Sequence, residues 1–386
     1  MLKSLKIKNF RSLEDFEVGK LGRVNLIVGK NNSGKSSVLE ALRIFAGNAQ
    51  LDLLETIADE HDEKYRIGES ERGDADTAYP FEDFFSGRHY PLIDGQAIEI
   101  GDPLTTGVQL SIEHGFYVES IMPADGEEEP GIRIRRQRMS KADLSALSDE
   151  MPNQALFVRK GERESMLRMQ PPALLNVRMP ARESPGASPC SVIPTRFVSI
   201  DELANEWDKI ALTDSQQVIH DAMRIISPEF EALAFVRKEN SNGKENGRLS
   251  RSAKVKLRNH DRPVPLNSLG DGMLRVLQLV LKIFPAKGGF LLVDEFENGL
   301  HYAVQEKVWA LVFELAERLD IQVFATTHSW DCIESFAKVA NERQDVEGVL
   351  FRVGRSARTS DKGRVIATVF DEDQLFNITQ SDVEVR

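Results

Sequence analysis

The hydrophobic pattern near the start of the chain predicts a buried strand followed by a helix. Val24–Val28 is a short, mostly apolar run that ends directly at Gly29. Runs of this kind are typical of parallel strands that are covered on both faces. After Ser36, apolar residues recur at helical spacing, at Val38, Leu39, Leu42 and Phe45. The predicted local order is therefore strand, glycine-containing loop and helix.

Similar apolar runs stand near the other end of the chain. Phe290–Val293 is followed by two acidic residues, and a run that starts at Ile321 ends in Thr326, Thr327 and His328. Both runs predict buried strands. At the N-terminus, the pattern predicts an opening strand over residues 2–10 and a second strand around 16–18. We expect the beginning and the end of the chain to belong to one structural unit.

The middle of the chain has a different pattern. Short alternating segments between residues 97 and 138 are separated by Gly or Pro and predict an antiparallel β-meander. Residues 200–226 predict a helix pair. Residues 232–236 and 255–257 then predict two hairpin strands around the polar tip 240–244.

Two further stretches of the middle carry little periodic signal. Residues 50–80 are rich in acidic side chains, which indicates either a mobile insertion or a solvated helix face. Residues 170–194 contain six prolines and indicate an irregular connection.

Composition narrows the functional classes. No apolar run approaches the roughly 18 residues that a membrane span needs, and the N-terminus lacks the apolar core of a secretory signal. We therefore expect a cytoplasmic protein without membrane insertion. Cys190 and Cys332 are the two cysteines, they are far apart in sequence, and they lack metal-ligand spacing. We expect both to be reduced and without a role.

The net charge of −12 argues against a surface that attracts nucleic acid as a whole, but local patches can still do so. Residues 237–262 contain nine Lys or Arg and three Asp or Glu. This stretch is either a solvated face or a set of phosphate contacts. Residues 133–138 are a second basic stretch, and the acidic residues 125–129 just upstream favour pairing across a hairpin.

The glycine loop after the first buried strand has the pattern GxxxxGKS, which predicts nucleotide binding. Backbone N–H groups of such a loop face the β-phosphate, and the helix N-terminus adds a favourable dipole. Lys35 supplies positive charge to the β- and γ-phosphates, and the Ser36 hydroxyl completes the shell of Mg²⁺. The residues predicted to bind nucleotide here are Gly29, Asn31, Asn32, Ser33, Gly34, Lys35, Ser36 and Ser37.

The late apolar strands deliver polar groups at their ends. Asp294 is predicted to hold Mg²⁺ through water, and Glu295 to act as the general base that polarises the attacking water. In an extended strand these two side chains point to opposite sides unless the backbone turns. His328 follows another core strand and is predicted to hydrogen-bond the γ-phosphate. Lys35, Glu295 and His328 are thus the catalytic candidates.

A second loop-then-helix pattern lies between these motifs. Residues 267–273 contain small residues and a hydroxyl, and a helical run of apolar residues follows them. Such a helix start is a candidate anion site.

Together these motifs resemble the ATP-binding-cassette class of ATPases, within the group that includes SMC, RecF and the overcoming-lysogenisation-defect (OLD) family. Residues 6–13 resemble the opening strand and arginine of that group, and residues 268–272 its signature loop. Residues 294–301 resemble the acidic strand with its following loop, and residues 326–329 the switch histidine. The resemblance covers residues 1–48 and 262–386, and the middle weakly.

The resemblance implies a P-loop NTPase fold of the α/β class. It consists of one ATPase head with a mixed central sheet, an inserted antiparallel β-meander and a helical lobe. It also implies a head that dimerises on ATP, so that Ser268, Gly270 and Gly272 of one copy complete the site around the partner's Lys35. Arg11 joins the nucleotide contacts on the same ground. The expected segments are a phosphate-loop lobe (1–48), a variable insertion and meander (49–199), a helical lobe with a basic hairpin (200–262) and a C-terminal lobe (263–386).

The chain also departs from the resemblance. One residue separates the two glycines of the signature loop, Phe296 stands where transporters have Pro, and no glutamine linking the helical lobe to Mg²⁺ is placed. OLD nucleases carry a TOPRIM domain after the ATPase, whereas 57 residues follow Ser329, and the acidic residues 371–373 are expected to be solvated. We expect no nuclease in this chain.

Three functions agree with these observations. The first is an ATPase that senses or scaffolds, controlling a separately encoded effector such as a TOPRIM or HNH nuclease in antiphage defence. The second is a RecF-like, ATP-dependent DNA-binding protein of repair that uses residues 237–262. The third is a nucleotide-gated adaptor that does not hydrolyse ATP.

Overall fold

The structure is a computed structural model. The structure describes residues 1–67, 76–92, 96–103, 105, 109–123, 132–140, 144, 152–169, 186–237, 250–258 and 260–370.

The central sheet is mixed, as the sequence predicts. Its strands, in spatial order, are β11 (Cys190–Ile193), β15 (Phe290–Val293), β16 (Gln322–Thr327), β3 (Val24–Val28), β17 (Gly348–Arg355) and β18 (Val365–Phe370). All neighbours are parallel apart from β17 and β18, which are antiparallel. Every residue of β3, β15 and β16 is buried, which explains their continuous apolar pattern.

Helices cover both faces of this sheet, and the sheet separates two hydrophobic cores. Leu26 packs into one core and its neighbour Ile27 into the other, because successive strand side chains point to opposite faces. The phosphate-loop helix α1 (Lys35–Ala46) lies on the Ile27 side. The opposite core includes residues of α6 (Tyr302–Arg318) and α7 (Trp330–Glu342).

A second, antiparallel sheet contains the predicted meander. Its members are β1 (Leu5–Phe10), β2 (Leu13–Val18), β6 (Ile98–Gly101), β7 (Gln109–Pro123), β8 (Ile132–Met139), β9 (Asn153–Lys160) and β10 (Arg163–Arg168). The opening strands belong to this sheet, because Ile7 lies opposite Phe16 on one side and Ile100 on the other. Residues 1–48 are therefore shared between the two sheets.

The acidic segment after α1 forms a helix with one packed face. Helix α2 (Leu51–Glu60) buries Leu54, Ile57 and Ala58 and exposes most of its charged side chains. This agrees with the solvated-helix interpretation for that part of the segment. Two short strands follow, β4 (Tyr65–Ile67) and β5 (Asp76–Ala78), and they pair antiparallel with each other.

The helical lobe follows the order that the sequence predicts. Its elements are α3 (Ile200–Ile210), α4 (Ser215–Ile226), β12 (Phe230–Arg237) and β13 (Arg251–Leu257). Strand β14 (Val264–Pro265) and helix α5 (Asp271–Ile283) follow, in the segment expected to form the C-terminal lobe. Alternation along β13 buries Ala253, Val255 and Leu257, which places Lys254 and Lys256 on the opposite face. The predicted polar tip 240–244 lies outside the described residues.

The acidic residues 125–129 and 371–373 lie outside the described residues. Arg136 and Arg138 pair with Glu119 and Glu113 of the neighbouring strand β7, at 2.8 and 2.7 Å, and a pairing with residues 125–129 stays a prediction.

The two cysteines are free thiols. Burial raises the pKa of Cys190 to about 12 and also raises that of Cys332, so both resist ionisation at neutral pH. Among the helices that the structure describes, none combines the length and apolarity that crossing a membrane requires.

Candidate nucleotide site

The phosphate loop connects β3 to α1, and two glycines in it have positive φ. Gly29 has φ +154°, and a Cβ atom there would lie 2.3 Å from the carbonyl oxygen of Val353. Gly34, at the N-cap of α1, has φ +105°. Asn32 also adopts a left-handed conformation, with φ +59°. The loop therefore needs glycine at its start for a steric reason, because the neighbouring strand leaves no room for a side chain.

Lys35 folds back onto the loop in this structure. Its Nζ donates hydrogen bonds to the carbonyl oxygens of Gly29 at 2.7 Å and Lys30 at 3.0 Å. Burial lowers the pKa of Lys35, and the carboxylates of Asp294, Glu295 and Glu297 act in the opposite direction. The lysine is thus a partly desolvated cation that faces the acidic end of the neighbouring strands.

The other predicted loop residues divide into an exposed and a buried set. Asn31, Asn32 and Ser36 are exposed, and Ser37 is half-buried. Ser33 is buried, and its Oγ has no hydrogen-bond partner among the described residues. A buried hydroxyl without a partner in a loop of this kind is a donor available to a phosphate oxygen.

Asp294 is held from both sides by threonine hydroxyls at the end of β15. Thr326 Oγ1 donates to Asp294 Oδ1 at 2.6 Å, and Thr195 Oγ1 donates to Asp294 Oδ2 at 2.9 Å. Thr326 follows Ala325 at the end of the adjacent strand, and Thr195 follows the end of β11 on the other side. The carboxylate is therefore oriented by both neighbouring strands.

Glu295 follows with a turned backbone, which resolves the question of which side it faces. Its φ is +48°, outside the extended region, so it does not continue the alternation of β15. Its backbone N–H donates to Thr326 Oγ1 at 2.9 Å. The turn allows Asp294 and Glu295 to serve the same site, as the predicted roles of the two residues require.

Arg275 supports this turn and was not predicted from the sequence. The side chain is fully buried, and its guanidinium donates to the carbonyl oxygens of Pro194, Asp294 and Glu295 at 3.0, 2.9 and 2.7 Å. Burial lowers its pKa to about 10. The signal in the sequence is an arginine within the apolar run of α5, where a charge needs a buried partner.

Thr195 was also not predicted from the sequence, and it lies between β11 and the first helix of the helical lobe. The segment after β11 leads to Thr195, whose hydroxyl reaches Asp294 and whose carbonyl oxygen accepts a hydrogen bond from Asn298 Nδ2. A few residues further on, Ser199 caps the first helix of the helical lobe. The link between that lobe and the acidic strand is therefore made by a threonine.

His328 lies beside two carboxylates. Its Nδ1 is 3.2 Å from Glu297 Oε1 and 3.7 Å from Glu295 Oε1, and the ring is half exposed. Phe296, between the two glutamates, is fully buried and stacks on Trp309 with ring centroids 3.6 Å apart. The aromatic residue that replaces the transporters' Pro thus anchors the acidic turn in the core.

The signature-like loop lies on the surface. Ser268 and Gly270 are exposed, and the Ser268 hydroxyl donates to the carbonyl oxygen of Pro265. Gly270 has φ +90°, and no described atom lies within 4 Å of an added Cβ. At Gly272 an added Cβ would lie 3.3 Å from the carbonyl oxygen of Gly299, in the loop after the acidic turn.

Arg11 takes part in an ion-pair cluster in this structure. Its guanidinium contacts Glu40 at 2.7 Å and binds Glu63 through two hydrogen bonds of 2.9 and 3.0 Å. It also lies 5.1 Å from the ring centroid of Phe84. Glu40 belongs to α1, so Arg11 is tied to the phosphate-loop helix. A direct contact between Arg11 and nucleotide stays a prediction.

The nucleotide-site motifs come together at one edge of the central sheet. The phosphate loop, Asp294 and His328 follow the ends of β3, β15 and β16, which are consecutive parallel neighbours. The carboxyl ends of parallel strands are where ligands of open α/β sheets bind.

Comparison with known proteins assigns the chain to a family. Residues 127–331, more than half of the 386 residues, match the family described as "AAA domain, putative AbiEii toxin, Type IV TA system". The chain belongs to this family. Residues 1–153 match a second family of this type, described as "AAA ATPase domain".

Individual relatives agree with an ATPase domain. A Helicobacter pylori protein named ATP/GTP phosphatase is 22% identical over 366 residues, which are 89% of each chain. The DNA double-strand break repair Rad50 ATPase of Archaeoglobus fulgidus is 50% identical over 44 residues, 11% of this chain and 5% of that protein.

Among solved structures, the SMC head domain from Thermotoga maritima is similar with a TM-score of 0.43 and 13% identity, covering 96% of this chain and 99% of that one. The Smc head domain from Pyrococcus furiosus, bound to the C-terminal domain of ScpA, gives a TM-score of 0.47 and 12% identity over 99% of both chains.

Proposed function

We propose that this AAA-family ATPase domain hydrolyses ATP at the sheet edge and uses ATP to dimerise. The observation that carries the proposal is the convergence of Lys35, Asp294, Glu295 and His328 at the ends of three adjacent parallel strands. The printed name of the Helicobacter pylori relative, ATP/GTP phosphatase, supports hydrolysis.

The chain's groups fit ATP with Mg²⁺. The Gly29 position excludes a Cβ, Ser33 Oγ is a buried hydroxyl without a partner in the described structure, and the Lys35 ammonium rests on loop carbonyls. Ser36 and Asp294 would hold Mg²⁺, which neutralises charge on the phosphates.

The oxygen of the attacking water forms a bond to the γ-phosphorus, and Glu295 accepts a proton from that water. The bond from that phosphorus to the bridging oxygen breaks, and ADP leaves. Lys35 places positive charge beside the phosphates, and His328 donates a hydrogen bond to the γ-phosphate.

Dimerisation is the second part of the proposal. Ser268 and Gly270 are exposed at the start of α5, and Gly270 has open space around it. The uncapped N-terminus of α5 presents backbone N–H groups toward solvent, a geometry suited to a phosphate held by a second copy. Each copy would thereby complete the other's site.

The dimer would control a separately encoded effector in defence against phage. The family description, which names a toxin and a type IV toxin–antitoxin system, supports a defence role. A TOPRIM or HNH nuclease is the effector class that fits the resemblance to OLD-like ATPases.

The test compares Lys35→Ala and Glu295→Gln with the wild type and with Lys307→Ala, which removes an exposed lysine on α6. We expect both site variants to lose at least 100-fold in kcat, in the range assigned to a general base or a phosphate-binding charge. Light scattering in ATP should show a stable dimer of Glu295→Gln and a monomer of Lys35→Ala, because only the former binds nucleotide without consuming it.

Unchanged turnover of Glu295→Gln would refute the assignment of the base. Negligible turnover of the wild type, combined with an ATP-dependent dimer, would favour the non-hydrolysing adaptor instead.

A DNA-binding function is supported by a separate observation. Lys254 and Lys256 lie on the face of β13 opposite its buried residues, and the exposed Arg258 directly follows the strand. Lys256 pairs with Glu231 at 3.0 Å, whereas Lys254 and Arg258 have no ion pair among the described residues. This face can therefore offer cations to a phosphate backbone.

A salt titration tests DNA binding. If the wild type clamps DNA, log K should be ATP-dependent and fall linearly with log salt. Replacing Lys254 and Arg258 with Gln should reduce the steepness of the log K against log salt line by about two, because each lost phosphate contact removes about one. Absence of binding at about 50 mM salt would exclude this function.

A further inference from the structure

Glu297 is a carboxylate beside the site that the proposed reaction does not use. Its side chain is 11% exposed. Its Oε1 accepts hydrogen bonds from the backbone N–H groups of His328 at 3.0 Å and Ser329 at 3.1 Å, and lies 3.2 Å from His328 Nδ1. Two backbone donors between β16 and α7 thus converge on one oxygen, and the imidazole lies beside it.

Part of this arrangement is a helix cap. Ser329 is the N-cap of α7, but its own side chain makes no capping hydrogen bond. The Glu297 carboxylate instead accepts the N–H groups there, and its negative charge suits the positive end of the helix dipole.

The contact to the imidazole goes beyond a cap. Glu297 Oε1 is closer to His328 Nδ1 than Glu295 Oε1 is, at 3.2 against 3.7 Å, and the Glu297 side chain is more buried. A carboxylate is an acceptor, so it favours a proton on the Nδ1 that lies beside it. The nitrogen that remains for a phosphate is Nε2.

We propose that Glu297 is a positioning residue for His328. Its carboxylate favours a proton on Nδ1 and fixes the ring plane, so that Nε2 faces the γ-phosphate of bound ATP. When ATP is bound, the ring carries a second proton on Nε2, which donates the hydrogen bond to the γ-phosphate, and the Glu297 carboxylate stabilises the resulting imidazolium. The backbone contacts at the same oxygen hold the histidine's main chain as well. The proposal rests on the proposed function for its role in hydrolysis. A carboxylate that fixes the tautomer and orientation of a working histidine is an established physical arrangement.

The Glu297→Gln substitution distinguishes the capping of α7 by Glu297 from its effect on the His328 ring. The amide retains an oxygen that accepts backbone N–H groups, but it lacks the charge that favours a proton on Nδ1. The matched control is Glu306→Gln, which removes a carboxylate that pairs with Lys338 at 2.8 Å between α6 and α7, away from the histidine.

The first measurement is the tautomer of His328 in the protein without nucleotide. Nitrogen NMR of histidine-labelled protein at about pH 8.5, where an ordinary imidazole is neutral, reports which ring nitrogen is protonated, and His328→Ala identifies the signals. We expect the Nδ1–H form in the wild type and in Glu306→Gln, and a shift toward Nε2–H in Glu297→Gln. A wild-type Nε2–H form, or an unchanged tautomer in Glu297→Gln, overturns the proposal.

This result does not depend on hydrolysis, so it remains decisive even if the proposed function fails. It also needs no variant of Glu297 to fold, because the tautomer of the wild type alone can contradict the proposal.

The second measurement is a double-mutant cycle on kcat. We expect Glu297→Gln to lower kcat by at least about tenfold with little change in KM for ATP. In the His328→Ala background, the same substitution should have no further effect, because Glu297 acts through the imidazole. Effects that multiply would mean that Glu297 supports the structure independently of His328, which contradicts the proposal.

Discussion

Strained backbone positions surround the nucleotide site. Glu295 has φ +48° and Asn32 has φ +59°, and a left-handed conformation costs a non-glycine residue roughly 1–2 kcal/mol. At Glu295 the strain is held by two groups from elsewhere in the chain, Thr326 Oγ1 on its N–H and Arg275 on its carbonyl oxygen. The position of Glu295, the proposed general base, is therefore set by its neighbours and not by local preference.

Gly29→Ala tests the steric requirement of the phosphate loop. The new Cβ would lie 2.3 Å from the Val353 carbonyl oxygen, so loop or strand must move. We expect nucleotide binding to be lost and the free energy of unfolding to fall by roughly 2–4 kcal/mol, because overpacking adds to the backbone strain. Chemical denaturation and binding of a fluorescent ATP analogue measure the two effects.

The control for this prediction is Gly288→Ala. Gly288 also has a left-handed conformation, with φ +74°, but no described atom lies within 4 Å of an added Cβ. The Gly288→Ala variant should lose only about 1 kcal/mol of unfolding free energy, because of its left-handed backbone, and should retain nucleotide binding. Equal losses in the two variants would show that the clash at Gly29 is relieved without cost.

Helix α1 connects the nucleotide site to the antiparallel sheet. Its N-terminus forms the end of the phosphate loop, and its C-terminal end is capped by Lys160 of β9. Lys160 Nζ donates to the carbonyl oxygen of Phe45 and to Asn48 Oδ1, both at 2.8 Å, and lies over the Phe45 ring. A cation at this end is favoured by the helix dipole, although burial opposes its charge.

The stability contribution of Lys160 should depend on pH. Burial lowers its pKa from 10.5 to about 8. Between these values the unfolded chain binds a proton that the folded chain does not, so folding stability rises with pH across that window. Relative to Lys160→Met, the wild type should gain up to about 3 kcal/mol between pH 8 and 10.5. Denaturant unfolding at several pH values measures this difference.

Lys338→Met provides the comparison. The hydrogen bond to Glu306 raises the pKa of Lys338, so its contribution should stay nearly constant up to pH 10.5 and decline only above it. If the difference in unfolding free energy between the wild type and Lys160→Met does not change with pH, burial does not lower the pKa of Lys160.

In the whole molecule, one head presents two separate halves of the proposed composite site. The phosphate loop, Asp294, Glu295 and His328 form one half at the edge of the central sheet. Ser268 and Gly270 form the other half at the exposed start of α5. Arg275, on the same helix, holds the carbonyl oxygens of Asp294 and Glu295. A partner's nucleotide bound at the start of α5 would thereby be connected to the acidic turn.

Mixing two inactive variants tests this arrangement. Ser268→Arg should block the signature half, and Lys35→Ala the phosphate half, so each variant alone should be nearly inactive. In a mixed dimer of two-fold symmetry one site combines the intact halves, and an equimolar mixture should recover up to about a quarter of wild-type ATPase activity. Steady-state phosphate release measures the recovery.

The control mixture is Lys35→Ala with Glu295→Gln, whose defects lie in the same half. Neither site of that mixed dimer is complete, so activity should not return. Recovery in the control, or none in the test mixture, would contradict a composite site.

Much of the local structure could be predicted from the sequence. The apolar runs that became β3 and β15, the helices α1, α3 and α4, and the hairpin of β12 and β13 follow from periodicity within each segment. The central sheet was correctly predicted as mixed. The pairing of β1 and β2 with the meander could not be predicted, because strand partners distant in sequence are chosen by packing and not by local pattern.

The sequence by itself determined which segments carry the chemistry. The spacing of glycine, lysine and serine after an apolar strand is sufficient to define a phosphate loop, because its function depends on consecutive residues. Only the tertiary structure decided what orients that chemistry. Thr195, Arg275 and Glu297 contact Asp294, Glu295 and His328 across 20 to 99 positions of sequence. Such contacts arise from the order of strands in the sheet and the placement of α5, and no pattern within one segment encodes them.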